Sequence, residues 1–330
     1  MGVSLAALVP GEAAAEESGV RVVSVPAQGN PDRPELLDWD RRALRGALAD
    51  FRPDLIQLEE EPWARGSLRA AGEARRLGIP VIITAVSPEP AGFLIRRRAR
   101  KTIRMARAGV GGNSHAAQYL RERLPGFPVA VIPRYGVPLP PPVNRPAREP
   151  LALGYAGRLL PDRGVDRLLR ACAGLMGTWT LTIAGTGPEQ ENLELLAERL
   201  GLASRVRWLG GITRAGIESL WNELDCLVLP ADPRAEGAER WSAILIEAMA
   251  YGVIPVVMKG GIPESLAGPA GRVAADEESL ATALQTLRAY PAERPRLAQA
   301  ARQRVLDHFG DPAIAARTLE LWEEILARPG

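Results

Sequence analysis

Between Gly136 and Pro146 the chain reads Gly-Val-Pro-Leu-Pro-Pro-Pro-Val-Asn-Arg-Pro, and this run divides the sequence. Proline fixes φ and donates no backbone hydrogen bond, so the segment favours an extended, stiff connector over a packed element. On each side, short apolar runs alternate with stretches of helical period. That alternation predicts parallel sheets with helical crossovers. At 330 residues the chain has the length for two cores. The expected fold class is α/β. Two Rossmann-like parallel-sheet domains, at 1–140 and 151–308, face one another across a cleft. A linker at 141–150 joins them, and a C-terminal helix at 309–330 packs back on the first domain.

In the first half the pattern places strands at Ser4–Val9, Val20–Val25, Leu55–Leu58, Val81–Thr84, Ala108–Gly111 and Val129–Ile132. Helices are expected at Trp39–Asp50, Trp63–Leu77, Phe93–Arg107 and Ala116–Arg123. The second half predicts strands at Leu151–Tyr155, Thr180–Ala184, Val206–Leu209, Leu227–Leu229, Pro255–Val257 and Gly271–Val273, then three helices from Glu277 to Leu326. In open α/β sheets ligands bind beyond the carboxyl ends of the strands.

Composition excludes several classes. A net charge of +2 gives no footprint for nucleic acid. The cations are nearly all Arg, with Lys only at Lys101 and Lys259. Cys172 and Cys226 lack metal-ligand spacing and read as reduced, buried thiols. His115 and His308 are the only histidines, which argues against a His-based metal site. No apolar run approaches a transmembrane span, and no charged n-region precedes Val3–Pro10. The expected location is cytoplasmic.

Chemistry concentrates in the second half. In Glu239-Arg240-Trp241-Ser242-Ala243-Ile244-Leu245-Ile246-Glu247-Ala248-Met249, every residue from Ala243 to Met249 except Glu247 is apolar. Such a helix should be buried, and a carboxylate within it is costly without a partner. Core packing does not explain Glu247, whereas a ligand rich in hydroxyl donors does. Gly157-Arg158-Leu159-Leu160-Pro161-Asp162-Arg163-Gly164 follows the first strand of this half. Gly157 allows close backbone approach, and Arg158 with Arg163 could clamp a diphosphate. In an Arg-rich chain the same pair could be solvated surface residues. Gly185-Thr186-Gly187-Pro188-Glu189, Leu229-Pro230-Ala231-Asp232 and Gly260-Gly261-Ile262-Pro263-Glu264 follow further strands.

Taken together, Gly-Arg-Leu…Arg-Gly, Gly-Thr-Gly-Pro-Glu, Arg205–Gly210, the Glu-x7-Glu block and Gly-Gly-Ile-Pro-Glu are similar to one family. The stretch from Leu151 to Val273 resembles the nucleotide-sugar domain of retaining GT-B glycosyltransferases of the family 4 type. Asn113-Ser114, Ile132-Pro133 and Gly136-Val137 resemble that family's domain junction. The resemblance implies that Glu247 accepts hydrogen bonds from the nucleotide ribose and that Glu239 contacts the transferred sugar. It implies that Arg158 and Arg163 stabilise the diphosphate, with Arg163 standing where the family has Lys. Backbone amides of Trp241, Ser242 and Ala243 would face the β-phosphate. It implies no metal and no cofactor beyond the nucleoside-diphosphate sugar donor, and a glycan or lipid-linked acceptor.

The chain departs from the family pattern in three places. Arg240-Trp241-Ser242 replaces Gly-Phe-Gly. Glu59-Glu60-Glu61 stands where relatives carry a His-containing motif, so Glu59 or Glu60 could contact acceptor or sugar hydroxyls; the alternative is a solvated acidic turn capping the next helix. The family's leading strand, Gly-rich loop and helix are expected to be lacking before Ser4–Val9, which would expose a sheet edge. A non-catalytic nucleotide-sugar- or partner-binding protein is therefore the rival expectation. Finally, Arg96–Arg107 is basic, with a stripe of Ile95, Ala99, Thr102, Ile103 and Ala106. It could meet an anionic membrane peripherally, or be a solvated face.

Overall fold

A computed structural model describes residues 4–10, 15–17, 20–30, 32–87, 92–134, 136–142, 144–232 and 243–328. Contacts divide the chain into Met1–Arg134 with Ala315–Gly330, and Tyr135–Ile314.

The first unit contains β1 (Ala6–Pro10), β2 (Ala15–Glu17), β3 (Val20–Val25), β4 (Ala27–Gln28), β5 (Asp38–Trp39), α1 (Arg41–Phe51) and β6 (Ile56–Leu58). It continues with α2 (Arg65–Leu77), β7 (Val81–Ala85), α3 (Phe93–Ile103), β8 (Ala108–Gly111), α4 (Ser114–Arg121) and β9 (Val129–Val131). The parallel strands do not form one sheet. β1 and β3 pair in parallel, with β2 antiparallel on the far side of β3. A separate parallel sheet has the order β6-β7-β8-β9. No described strand bridges β1 and β6. Both sheets still feed one core, in which Val25, Leu44, Leu58 and Ile83 are buried together. All five residues of β7 are buried, as expected of a parallel strand covered on both faces.

Several boundaries differ from the sequence reading, two of them for a visible local reason. Trp39 belongs to β5, because the Asp40 carboxylate caps α1 by accepting from the Ala43 amide at 2.7 Å. Helix α4 starts at Ser114, because Asn113 caps it at 2.8 Å through the Ala116 amide. Helix α3 ends at Ile103, short of Arg107.

The second unit contains β10 (Leu151–Ala156), α5 (Val165–Ala173), β11 (Trp179–Ala184), α6 (Gln190–Arg199), β12 (Val206–Gly210), α7 (Arg214–Glu223) and β13 (Cys226–Leu229). There follow α8 (Ala243–Ala250), β14 (Ile254–Met258), α9 (Ile262–Ala267), β15 (Arg272–Ala274), α10 (Glu277–Ala289), α11 (Arg294–His308) and the first residues of α12 (Asp311–Ala327). Its sheet has the order β12-β11-β10-β13-β14-β15, and every pairing is parallel. Strand side chains alternate between faces, so each face has its own core. Leu153, Ile183 and Val228 lie in one, while Leu227, Leu245 and Val257 lie in the other. The order reverses between β10 and β13. Such a switch point opens a crevice at the carboxyl ends of the strands.

The Pro-rich segment is fastened to this second unit. Arg145 donates to the carbonyls of Trp221, Leu224 and Tyr251, and Arg302 donates to Pro140 O at 2.7 Å and to Ala250 O. From Ala315 onward α12 belongs to the first unit, where Trp322 Nε1 donates to Gln57 Oε1 at 2.6 Å.

Candidate functional site

The turns after β10, β11, β13 and β14 all leave the carboxyl edge of one parallel sheet. Glycines let their backbones touch. A Cβ on Gly185, at φ +143°, would lie 1.8 Å from the Gly157 carbonyl oxygen. A Cβ on Gly164, at φ +69°, would lie 2.4 Å from that of Pro230. No other residue fits either position without moving backbone. Arg167 Nη1 donates to Pro230 O at 2.8 Å, and the Tyr155 hydroxyl donates to Arg158 O at 2.9 Å. The turns flanking the switch point are thus held rigidly.

Gly157 and Arg158 follow β10 directly, and the Arg158 side chain is exposed. Arg163 closes the short 3-10 turn Pro161–Arg163, with Gly164 opening α5. Its Nε is 3.8 Å from Asp162 Oδ1, too long for a hydrogen bond, and is enclosed with no acceptor among the described residues. The Nε atoms of Arg288 and Arg294 are enclosed in the same way, so what distinguishes Arg163 is its place at the carboxyl edge of the sheet, where an anion would satisfy it.

Helix α8 is as apolar as its sequence suggests. Leu245, Ile246, Ala248 and Met249 are fully buried, while the Glu247 side chain keeps 19% exposure. The structure corrects one expectation here: Glu247 has a protein partner. Its Oε1 accepts from Arg214 Nη1 at 2.8 Å. Arg214 opens α7 behind the Thr213 cap, and its Nε also reaches Glu218 Oε1 at 3.2 Å. The hydrogen bond to Glu247 holds the Arg214 guanidinium above its ordinary pKa. Among the described residues Arg214 uses one of the roughly four lone-pair sites a carboxylate offers, so both Glu247 oxygens retain acceptor capacity toward them. The carboxylate is oriented by the guanidinium yet still able to receive hydroxyl donors. Arg214 was not legible as a site residue, since only the packing of α7 against the apolar core brings it to a carboxylate 33 positions away. Ala243, the first residue of α8, is exposed; Glu239, Trp241 and Ser242 lie outside the described residues.

In the first unit, Glu59-Glu60-Glu61 follows β6 but is neither a simple solvated turn nor the cap of α2. Glu61 accepts from the Ser87 amide at 2.8 Å and the Val86 amide at 3.3 Å, tying the end of β7. Glu59 lies 3.7 Å from Arg134. Burial pushes the Glu60 carboxyl above the usual carboxylate range, offset in part by the Arg134 charge. Helix α2 has Ala64 at its N-cap, with no side-chain cap hydrogen bond. Cys172 and Cys226 are free and buried, and burial pushes the Cys172 thiol up to about 12, so both act as core residues. Among the described residues no three His, Cys, Asp or Glu side chains gather as metal ligands, and no helix is long and apolar enough to cross a membrane.

Residues 141–304 match the family Glycosyl transferases group 1, and residues 2–135 match the Glycosyl transferase 4-like domain. A GDP-mannose-dependent alpha-(1-6)-phosphatidylinositol monomannoside mannosyltransferase of Mycolicibacterium smegmatis is 29% identical over 86% of this chain and 86% of its own. A glycogen synthase of Mycobacterium tuberculosis is 32% identical over 54% of this chain and 44% of its own. Among solved structures, Anabaena HepE in complex with UDP superposes with a TM-score of 0.65 at 20% identity, covering 92% of this chain and 86% of its own. A glycosyltransferase from Rickettsia africae gives a TM-score of 0.69 at 15% identity, covering 93% and 86%. The fold is GT-B in kind, α/β with parallel sheets.

Proposed function

This chain belongs to the glycosyltransferase family, is an enzyme of that family, and we propose that it is a retaining hexosyltransferase. It moves a hexose from a nucleoside-diphosphate sugar to a hydroxyl of a glycan or glycolipid. The observation that carries this reading is Glu247: a carboxylate in an apolar helix, oriented by Arg214, beside the crevice of a parallel sheet. It would take the ribose hydroxyls of the donor. Arg158 and Arg163 would meet the diphosphate, where charge develops as the C1–O bond breaks. Two fixed cations at that point lower the barrier electrostatically. Glu239 would contact the sugar, and a phosphate oxygen would accept the acceptor's proton, so no metal and no protein base is required. Arg214 serves as a positioning residue.

GDP and UDP are the nucleotides to try first in the donor role. The mycobacterial relative is named for GDP-mannose, and the Anabaena structure holds UDP. On the acceptor side, α3 presents Phe93 and Leu94, exposed by 78% and 69%, next to exposed Arg96, Arg97 and Arg100, while Ala99, Thr102 and Ile103 are buried. That arrangement suits peripheral contact with anionic lipid carrying the acceptor.

The test is the stereochemistry of turnover with GDP-mannose and with UDP-glucose, read by proton NMR on the freshly formed product or on sugar released by slow hydrolysis. The α anomer from an α-linked donor is expected. The β anomer would overturn retention, and no turnover with any nucleotide sugar would overturn the donor assignment.

A further inference from the structure

A cavity of about 610 Å³ lies in the helical layer of the first unit, walled by α1, α2 and α3 and not by the turns that follow the strands. Six cationic side chains line it: Arg41, Arg65, Arg69, Arg75, Arg76 and Lys101. The two lining carboxylates are already committed. Asp38 is held by Arg69 through two hydrogen bonds, at 2.9 and 2.5 Å. Glu73, whose side chain is 3% exposed, collects Arg41 at 3.3 Å, Arg45 at 3.0 Å and Arg76 at 3.1 Å. One buried carboxylate thus serves three guanidiniums and fixes them as a group with excess positive charge. Arg65, Arg75 and Lys101 have no ion-pair partner among the described residues.

Gathering like charges around a concave space is unfavourable unless something offsets it. Guanidiniums present donors in a planar fork that matches phosphate oxygens bidentately. The excess of four positive charges is more than a single phosphate would neutralise, and the volume is that of a small-molecule site. Leu68 and Met105 add apolar wall for a non-ionic part of the ligand. We propose that this cavity binds a ligand carrying two or more phosphate charges, at a site separate from the donor crevice of the second unit. The ligand could be free in solution or the headgroup of a phosphorylated lipid; the chemistry recognised is the same.

Gly72 supplies a sharp test. It lines the cavity, lies within α2, and a Cβ there meets nothing within 4 Å. Gly72→Glu therefore places a carboxylate in the cavity without a clash, and replacing a helical glycine favours the helix. Inorganic pyrophosphate is titrated calorimetrically into four proteins: wild type, Gly72→Glu, Arg65→Ala/Lys101→Ala, and Arg158→Ala/Arg163→Ala. The last removes the diphosphate cations proposed for the donor crevice. A pyrophosphate-binding event should survive in the Arg158/Arg163 variant, and that event should weaken at least tenfold in the other two, which keep only the binding that Arg158 and Arg163 supply, with melting temperatures unchanged or raised. Loss only in the Arg158/Arg163 variant, or no binding beyond that crevice, overturns the proposal. Co-sedimentation with vesicles of equimolar phosphatidylcholine and phosphatidic acid separates the sources. Vesicle binding that Gly72→Glu abolishes assigns a lipid headgroup. Pyrophosphate binding without vesicle binding assigns a soluble ligand.

Discussion

At the amino end of the second unit's sheet, Asp225 accepts from Arg148 Nε at 3.0 Å and the Ala152 amide at 2.9 Å, and lies 3.5 Å from Arg294. Arg294, 4% exposed, also donates to Glu149 at 2.9 Å and to Arg148 O at 2.8 Å. At the carboxyl end of the same sheet, among the described residues, Arg163 keeps a buried donor unpartnered and Glu247 keeps acceptor capacity unused. Arginine and carboxylate appear at both ends. At one end they bond one another, only the Arg294 Nε being left without a partner among the described residues, and clamp β10, β13 and α11 together. At the other, Glu247 is paired with Arg214 but keeps acceptor sites free, Arg163 keeps an enclosed donor without a partner among the described residues, and a ligand would complete both. The contrast separates residues that hold the fold from residues that would do chemistry, and it can be challenged by mutation.

Removing the amino-end acceptor should have the largest effect on stability. Asp225→Ala leaves Arg294 and the Ala152 amide without their carboxylate, and breaking a buried pair costs about 3–5 kcal/mol. Asp225→Asn should cost roughly half, since an amide oxygen still serves Ala152. Urea denaturation measures both. By contrast Arg158→Ala, at an exposed side chain, should stay within about 0.5 kcal/mol while abolishing most turnover. If Arg158→Ala destabilises the protein as much as Asp225→Ala, the division between the two ends collapses.

Gly185→Ala sharpens the comparison at the carboxyl end. Its methyl group would sit 1.8 Å from Gly157 O at φ +143°, so the turn must move. A cost of about 2–3 kcal/mol is expected, with a loss of donor affinity larger than stability alone would give. Donor affinity unchanged from wild type would show that these turns do not shape the site.

The smallest effect is a pH dependence at the carboxyl end of the first unit's second sheet. Burial raises the folded pKa of Glu60 above its unfolded value. The folded state then binds the proton more tightly, so stability falls as pH rises from the ordinary carboxylate range through the folded pKa. Glu60→Gln should stabilise the protein slightly at neutral pH, and the gain should vanish below the ordinary carboxylate range. A gain that persists at acid pH would assign the effect to packing, not ionisation.

Much of this comparison was readable in sequence, unevenly. The second unit's strands follow the apolar runs almost residue for residue, because parallel strands buried on both faces carry a continuous signal. Glu247 stood out for the same reason, as one charge in an apolar helix. Arg214 did not, because its pairing depends on how two helices meet. Arg145, Arg148 and Arg294 were equally hidden: in an Arg-rich chain nothing local separates an arginine bonded to carbonyls from a solvated one. In the first unit, β2, β4 and β5 were missed because they are two or three residues long and defined only by antiparallel partners. The basic character of α3 was visible, but the cavity it shares with α1 and α2 was not, since it requires Glu73 to collect cations from two helices.

The central claim is that Glu247 binds the donor and does not hold the fold. Calorimetric titration of UDP and GDP into wild type and Glu247→Ala, with melting curves of both free proteins, tests it most directly. Losing charge-assisted hydrogen bonds of about 1.5–3 kcal/mol should weaken one nucleotide by roughly 10- to 100-fold. The free proteins should melt within about 4 °C of each other, because Arg214 retains Glu218 and exposed pairs contribute little. Equal nucleotide affinity in the two proteins, or a variant that unfolds without ligand, would contradict the claim.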